Sequence, residues 1–195
     1  MPRPKQRTPV LRDQVLDVAL DLLAREGAAG FSTRAIAREA STSTPAVYEL
    51  FGNRAGLLRA VFFAGFRRLA ERLAARPESD DPRADLLALA DDYRAFLVAH
   101  PELAGVMFSR PFADFSPGPE ESQAGADVRD LVVARVRRAI DARILRGDAT
   151  DIAHAYVSLI QGLAAAENAR RLGTSKASVD RRWRVAVEAL LDGLR

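Results

Sequence analysis

Ser43, Thr44, Pro45, Ala46 and Glu49 fall within one short stretch and combine two hydroxyls, two small apolar surfaces and a carboxylate. Such a set makes polar contacts without bulk. The hydroxyls can donate to phosphate oxygens or base edges, and the methyls of Thr44 and Ala46 suit the C5-methyl of thymine. Catalytic chemistry has a thinner basis. Asp148, Asp151 and His154 recur every three residues and can in principle meet a metal, and Asp91 and Asp92 are adjacent carboxylates. Neither group has a second motif beside it, and helix-start acids with a neutral surface histidine account for them. The sequence has no phosphate loop, dinucleotide fingerprint, zinc motif or nucleophile–base pair. No catalytic residue, metal or cofactor is therefore expected.

The elements that must position the Ser43–Glu49 stretch are helical. Of 195 residues, 48% are hydrophobic and 28% charged, which are ordinary globular values and exclude disorder and fibrous repeats. No apolar run approaches the roughly 20 residues of a membrane span. The absence of cysteine excludes disulfides and thiolate chemistry and fits a reducing cytoplasm, where the chain is expected to reside. The net charge of +3 is unevenly spread. Residues 1–76 hold 13 Lys and Arg against 7 Asp and Glu, whereas residues 77–195 hold 16 against 19. A basic head on a mildly acidic body suits a nucleic-acid binder with a separate second function.

Apolar residues recur with a period of 3.6 from end to end, so an all-α fold is expected. Leu11, Val15, Val18, Ala19, Leu22 and Leu23 mark a first helix from about Val10 to Glu26, with Gly27 as its stop. Ser32 can cap a short helix from Thr33 to about Ala40, and Ser43 another from Thr44 to about Phe51, where Pro45 is tolerated in the first turn. Two short helices joined by a tight turn have the arrangement of a helix-turn-helix reader, whose second helix offers its N-terminal end to the major groove. Asn53 can cap a long helix from Arg54 to about Arg76. The proline-bracketed connector from Pro77 to Pro82 follows, then a helix bounded by Pro101, a short helix over 102–108 and a loop over 109–125. Three helices are expected over 126–146, 148–172 and 178–194. The functional division is a helix-turn-helix domain with a basic N-terminal arm over 1–53, a connecting helix over 54–76 and a ligand-binding and dimerisation domain over 77–195.

The runs Phe31-Ser32-Thr33-Arg34-Ala35-Ile36-Ala37-Arg38-Glu39-Ala40 and Pro45-Ala46-Val47-Tyr48-Glu49-Leu50-Phe51-Gly52-Asn53-Arg54 resemble the DNA-binding domain of the TetR/AcrR family, over about the first 60 residues. The resemblance implies base contacts from Thr44, Pro45 and Ala46, with Glu49 on the same tip. It also implies phosphate contacts from Thr33 and its neighbour Arg34, from Ser43, from Tyr48 and from Arg54 at the start of the long helix. Taken singly, Tyr48 also fits a half-buried core tyrosine and Arg54 a solvated helix-start residue; the joint spacing favours the DNA roles. Two positions depart from the family pattern. Ser41 stands where a turn glycine is usual and must accept a left-handed backbone, at about 1 kcal/mol. Leu50 replaces a polar residue and is expected to pack inward. Arg3, Lys5 and Arg7 fit either a minor-groove arm or a solubilising tail.

Beyond Arg76 the likeness is looser. Residues 93–103 and 160–167 are similar to the family's C-terminal domain. Tyr93, Phe96, Leu97, Met107, Phe108, Phe112, Tyr156 and Ile160 are the expected lining of a pocket for an apolar or amphipathic effector, with ordinary core as the alternative. Leu159, Gly162, Ala165, Ala166, Trp183, Val187, Leu190 and Leu191 are the expected dimer surface, because small residues let helices approach and large ones supply apolar area. The resemblance implies a homodimer on double-stranded, palindromic DNA, with half-sites about 34 Å or more apart, and repression relieved when the effector moves the long helix. The rival readings are a non-specific architectural DNA-binding protein and a small helical enzyme.

Overall fold

A computed structural model describes residues 9–109, 112, 115 and 118–195; the basic arm carrying Arg3, Lys5 and Arg7 lies outside the described residues. The fold is all-α, in ten helices among those residues: α1 Pro9–Gly30, α2 Thr33–Glu39, α3 Thr44–Phe51, α4 Arg54–Ala74, α5 Pro82–Ala99, α6 Pro101–Phe108, α7 Pro119–Ala124, α8 Ala126–Asp141, α9 Ala149–Asn168 and α10 Lys176–Asp192. No helix among them is long and apolar enough to cross a membrane.

Packing divides the chain into two compact units. One runs through Phe66 and takes in His100–Ala124; the other comprises Arg67–Ala99 and Gly125–Arg195. Helix α6 joins the first unit because it packs on α1 and because Gly65 of α4 leaves room for it. A Cβ on Gly65 would stand 2.7 Å from Met107 Sδ and 3.1 Å from Leu103 Cδ1. The boundaries of packing therefore run differently from the division by role at residues 53 and 76.

In the first unit the buried face of α1, from Val15 to Leu23, meets Ile36 and Ala37 of α2, and α2 in turn packs on α3. The second unit layers α5, α8, α9 and α10 around a core that includes Leu86, Leu89, Val132, Val136, Ile160 and Leu191.

Helix ends show where local sequence signals succeed. Gly27 interrupts α1 with φ 67°, as its position suggests, and a last turn then continues to Gly30. Ser32, Ser43 and Asp148 cap α2, α3 and α9 by accepting from backbone amides, and Ser175 forms a reciprocal capping box with Ser178. Helix α10 consequently starts at Lys176, two residues before the expected Ser178. Two helices stop earlier than expected. Helix α8 ends at Asp141 rather than 146, and α9 at Asn168 rather than 172, because Arg143 (φ 59°) and Arg170 (φ 54°) turn left-handed. Each closes its helix with a six-residue return bond, Ile144 N–H to Ala139 C=O at 2.9 Å and Arg171 N–H to Ala166 C=O at 2.7 Å. Glycine usually marks such an end, and here arginine does the work unannounced. The expected loop over 109–125 also contains α7, with Glu120 and Glu121 in its first turn.

Candidate nucleic-acid interface

Helices α2 and α3 carry the site, and three features fix their arrangement. First, Ser41 takes φ 52°, the left-handed turn that its position demanded, and Thr42 N–H returns to Ala37 C=O at 2.9 Å. Second, apolar packing holds the inner faces: Ile36 is fully buried, and Ala37, Ala40 and Val47 are nearly so. Third, polar and cationic ties brace the pair from α1. Gln14 Nε2 donates to Ala40 C=O at 3.2 Å, Arg25 donates to both Glu39 oxygens at 3.0 and 2.8 Å, and the Arg12 guanidinium lies 5.0 Å from the Phe51 ring centroid. Sequence reasoning missed these braces, since each joins residues 14 to 39 positions apart with no local pattern.

This framework turns the tip of α3 outward. Ser43, Pro45, Tyr48 and Glu49 are exposed, with Thr44 and Ala46 half-buried, while Val47 and Phe51 face the interior. Tyr48 keeps 43% of its surface accessible, so it is not a core tyrosine. Leu50 is half-buried, in line with its expected inward turn. On α2, Arg34 is exposed, but Thr33 is only 6% accessible. Its hydroxyl therefore presents little surface, and the exposed polar groups at this helix start belong to Ser32 and Arg34.

The beginning of α4 is equally constrained. Gly52 turns the chain with φ 80°, and Asn53 Oδ1 accepts from Gly56 N–H at 2.9 Å. A Cβ on Gly56 would lie 1.9 Å from Phe51 C=O, so only glycine permits α4 to start this close to the end of α3. The first residue, Arg54, is half-buried. Its guanidinium lies 4.9 Å from the Phe112 ring centroid and 5.9 Å from that of Phe31, and the two rings are 5.5 Å apart. One turn further along α4, Arg59 pairs with Glu121 and with Glu120 of α7.

The residues expected to line an effector pocket separate into two groups. Met107, Phe108 and Phe112 belong to the first unit, where Met107 meets Gly65, Phe108 lies edge-on to Phe66 at 5.4 Å and Phe112 pairs with Phe31. Tyr93, Phe96, Leu97, Tyr156 and Ile160 are buried in the second unit. Tyr156 donates its hydroxyl to Leu86 C=O, and Gln161 Nε2 donates to the Tyr93 oxygen at 3.0 Å. Burial pushes the Tyr93 hydroxyl up to about 12 and that of Tyr156 well above its ordinary value, so both remain neutral hydrogen-bonding groups.

Of the residues expected at a dimer surface, Trp183, Val187 and Leu191 must be reassigned. They are 1–2% accessible within the protomer, and their apolar area is already spent on its core. Gly162 and Ala165 are exposed, and Leu159, Ala166 and Leu190 half-buried. Trp183 Nε1 donates to Asp91 at 3.1 Å and its ring lies under Arg94. Arg94 in turn grips Glu167 through two bonds (2.7 and 2.9 Å) and Asp180 at 2.8 Å, tying α5, α9 and α10 together. The hydrogen bonds that Arg94 donates to the Glu167 carboxylate hold its guanidinium above its usual pKa. Trp183, Val187, Asp91 and Arg94 also border a cavity of about 250 Å³ that none of the expected pocket residues lines.

Asp148, His154, Asp91 and Asp92, considered for catalysis, each have a structural partner. Asp148 accepts from Thr150 and Asp151 amides at 2.8 and 3.0 Å, which hold its carboxyl below the ordinary range, and His154 Nδ1 lies 2.8 Å from Thr150 C=O. Asp92 pairs with Arg76 and Arg72.

Two short helices with a glycine-free turn, an outward small-residue tip and a cation at the start of the next helix define a helix-turn-helix module. Residues 15–61 match the model for bacterial regulatory proteins of the tetR family, and residues 86–190 match the tetracyclin repressor-like C-terminal domain. The chain belongs to the TetR family, a family of transcriptional regulators and not of enzymes. A protein of unknown function from Rhodococcus sp. RHA1 has a similar structure, with a TM-score of 0.81, 31% identity and coverage of 98% of this chain and 99% of that one. HTH-type transcriptional regulators of Mycobacterium bovis and Mycobacterium tuberculosis are 29% identical over 138 residues. That match takes in 69% of this chain and spans 58% of the length of those relatives. The fold is also shared with BioQ, whose structure holds its double-stranded DNA operator (TM-score 0.66, 22% identity, 93% and 96% coverage).

Proposed function

We propose that the chain is a ligand-responsive transcriptional repressor that binds a palindromic operator as a homodimer. Thr44, Pro45, Ala46 and Glu49 read bases, and Arg34, Ser43, Tyr48 and Arg54 hold phosphates, with Thr33 contributing through its backbone at the start of α2 rather than through its enclosed hydroxyl. The observation that carries this reading is the division of α3. Val47 and Phe51 anchor the helix while its N-terminal tip and Tyr48 stay open to solvent, an arrangement with no packing purpose. The operator bound by BioQ shows what this fold does in a relative and supports the same use here.

The remaining assignments follow the division by role. Residues 1–53 read DNA, 54–76 connect, and 77–195 bind an apolar or amphipathic effector and form the dimer. The dimer surface is reduced to Leu159, Gly162, Ala165, Ala166 and Leu190, the expected residues that retain accessible area. Effector binding works by differential affinity for the DNA-bound and free states, worth about 1–3 kcal/mol in allosteric systems.

Selection of bound duplexes from a random pool tests the proposal. An enriched inverted repeat is expected, whose affinity survives raised salt better than that of random DNA. Recovery of unselected sequences, with a steep salt slope and no preference, would instead indicate a charge-driven architectural binder.

A further inference from the structure

The network that ties α5, α9 and α10 leaves two opposite charges over, and both border the cavity of about 250 Å³. This cavity lies between a stripe of α5 carrying Leu87, Asp91 and Arg94 and a stripe of α10 that runs from Lys176 to Val187. Buried Trp183 and Val187 give it an apolar floor. On the α5 side Asp91 is exposed. One of its oxygens accepts from Trp183 Nε1 at 3.1 Å, which orients the carboxylate, and the other takes no hydrogen bond among the described residues. On the α10 side Arg184 is exposed, with neither an ion pair nor a hydrogen bond among the described residues. Asp91 and Arg184 thus belong to opposite walls and do not pair with each other. The remaining charges of the lining are committed: Arg94 grips Glu167 and Asp180, and Asp180 divides its two oxygens between Arg94 and Lys176.

We propose that this cavity binds a small amino carboxylate, the chemical class of the free amino acids, with its carboxylate on Arg184 and its ammonium on the open oxygen of Asp91. Walls of opposite charge select a molecule that carries both signs. A simple anion is repelled by Asp91 and a simple amine by Arg184, so each charge excludes the partner that the other alone would admit. A guanidinium matches a carboxylate through two parallel N–H bonds, which gives the α10 wall its preference. Size sets a second limit. At about 250 Å³ the space falls below the roughly 300 Å³ at which pockets for drug-sized ligands begin, so the occupant is small. The site is separate from the aromatic residues assigned to an apolar effector, shares no residue with the reduced dimer surface, and stands independently of the operator reading.

The test uses the full chain and the proteinogenic amino acids, one at a time. Binding is followed by titration calorimetry and by the fluorescence of Trp183, the only tryptophan of the chain. Saturable binding of at least one amino acid is expected; silence of both signals for all of them would overturn the proposal. For the tightest binder, the analogue without its amino group and the analogue without its carboxylate should each bind about tenfold more weakly. An analogue that matches the parent would overturn recognition by two charges. Asp91→Asn keeps the volume and the acceptor for Trp183 Nε1 while removing the charge, and Arg184→Gln removes a cation whose loss strands no partner. Each should weaken the binder about tenfold at an unchanged melting temperature. Undiminished binding in either variant would place the ligand elsewhere and overturn the site. Crossing the two sets assigns the contacts: the analogue without an amino group should be indifferent to Asp91→Asn yet lose affinity with Arg184→Gln, and the reverse pattern would overturn the orientation. Should Asp91→Asn melt early, Arg184→Gln decides alone, since that side chain takes no part in holding the fold.

Discussion

The helix-turn-helix and the α5, α9 and α10 layer use polar residues in opposite directions. In α2 and α3 the interior is held by apolar side chains, mostly small, while Ser32, Ser43, Tyr48 and Arg34 are exposed and only Thr33 among these polar residues is enclosed. In the C-terminal layer the polar groups face one another: Arg94 with Glu167 and Asp180, Trp183 with Asp91, and two tyrosine hydroxyls with a carbonyl and an amide. The first region keeps its chemistry for a partner, and the second spends it on its own cohesion. Substitution of a polar residue should therefore alter binding in one and folding in the other.

The strongest test of this contrast removes the apolar support of the outward-facing region. Ile36→Ala should lower the unfolding free energy by about 3 kcal/mol in chemical denaturation, because the site is fully buried in packed surroundings. Tyr48→Ala should leave the midpoint unchanged while weakening DNA binding. A comparable loss of stability from both would erase the distinction. Next in size is Arg94→Ala, which strands Glu167 and Asp180 and should cost about 2 kcal/mol, with DNA affinity intact whenever the chain is folded. An unaltered melting temperature would show that the network is ornamental. The smallest change has the opposite sign. Ser41→Gly relieves a left-handed serine and should raise stability by about 1 kcal/mol; a decrease would mean that the Ser41 side chain supplies something the strain conceals.

The same contrast explains what could be read before the fold was known. Caps, turn and recognition tip in residues 32–54 are local, so Ser32, Ser43, Asn53 and the strained Ser41 announce themselves within a few positions. The dimer and pocket assignments had no such support. Trp183 looked like apolar area for a second subunit, and only the fold reveals that it is roofed by Arg94, 89 positions earlier. Met107, Phe108 and Phe112 read naturally as part of a C-terminal aromatic cluster, yet α6 and Phe112 pack with the N-terminal unit. The ends of α8 and α9 were hidden for a different reason: Arg143 and Arg170 occupy a backbone region that arginine does not advertise.

The connector between α4 and α5 looks like slack chain, proline-bracketed and polar, but it is bolted down. Arg135 donates to Arg76 C=O at 2.8 Å and pairs with Glu78, Arg138 donates to Ser79 C=O, and Asp85 collects the Ser79 amide and hydroxyl together with Arg138. Burial alone would raise the Asp85 carboxyl, and these donors outweigh it, keeping it charged below its ordinary range. The foot of α4 is accordingly a seated axle rather than a hinge of loose cord. A substitution that removes Arg135 or Arg138 is therefore expected to loosen the chain just after α4 as well as α8 itself.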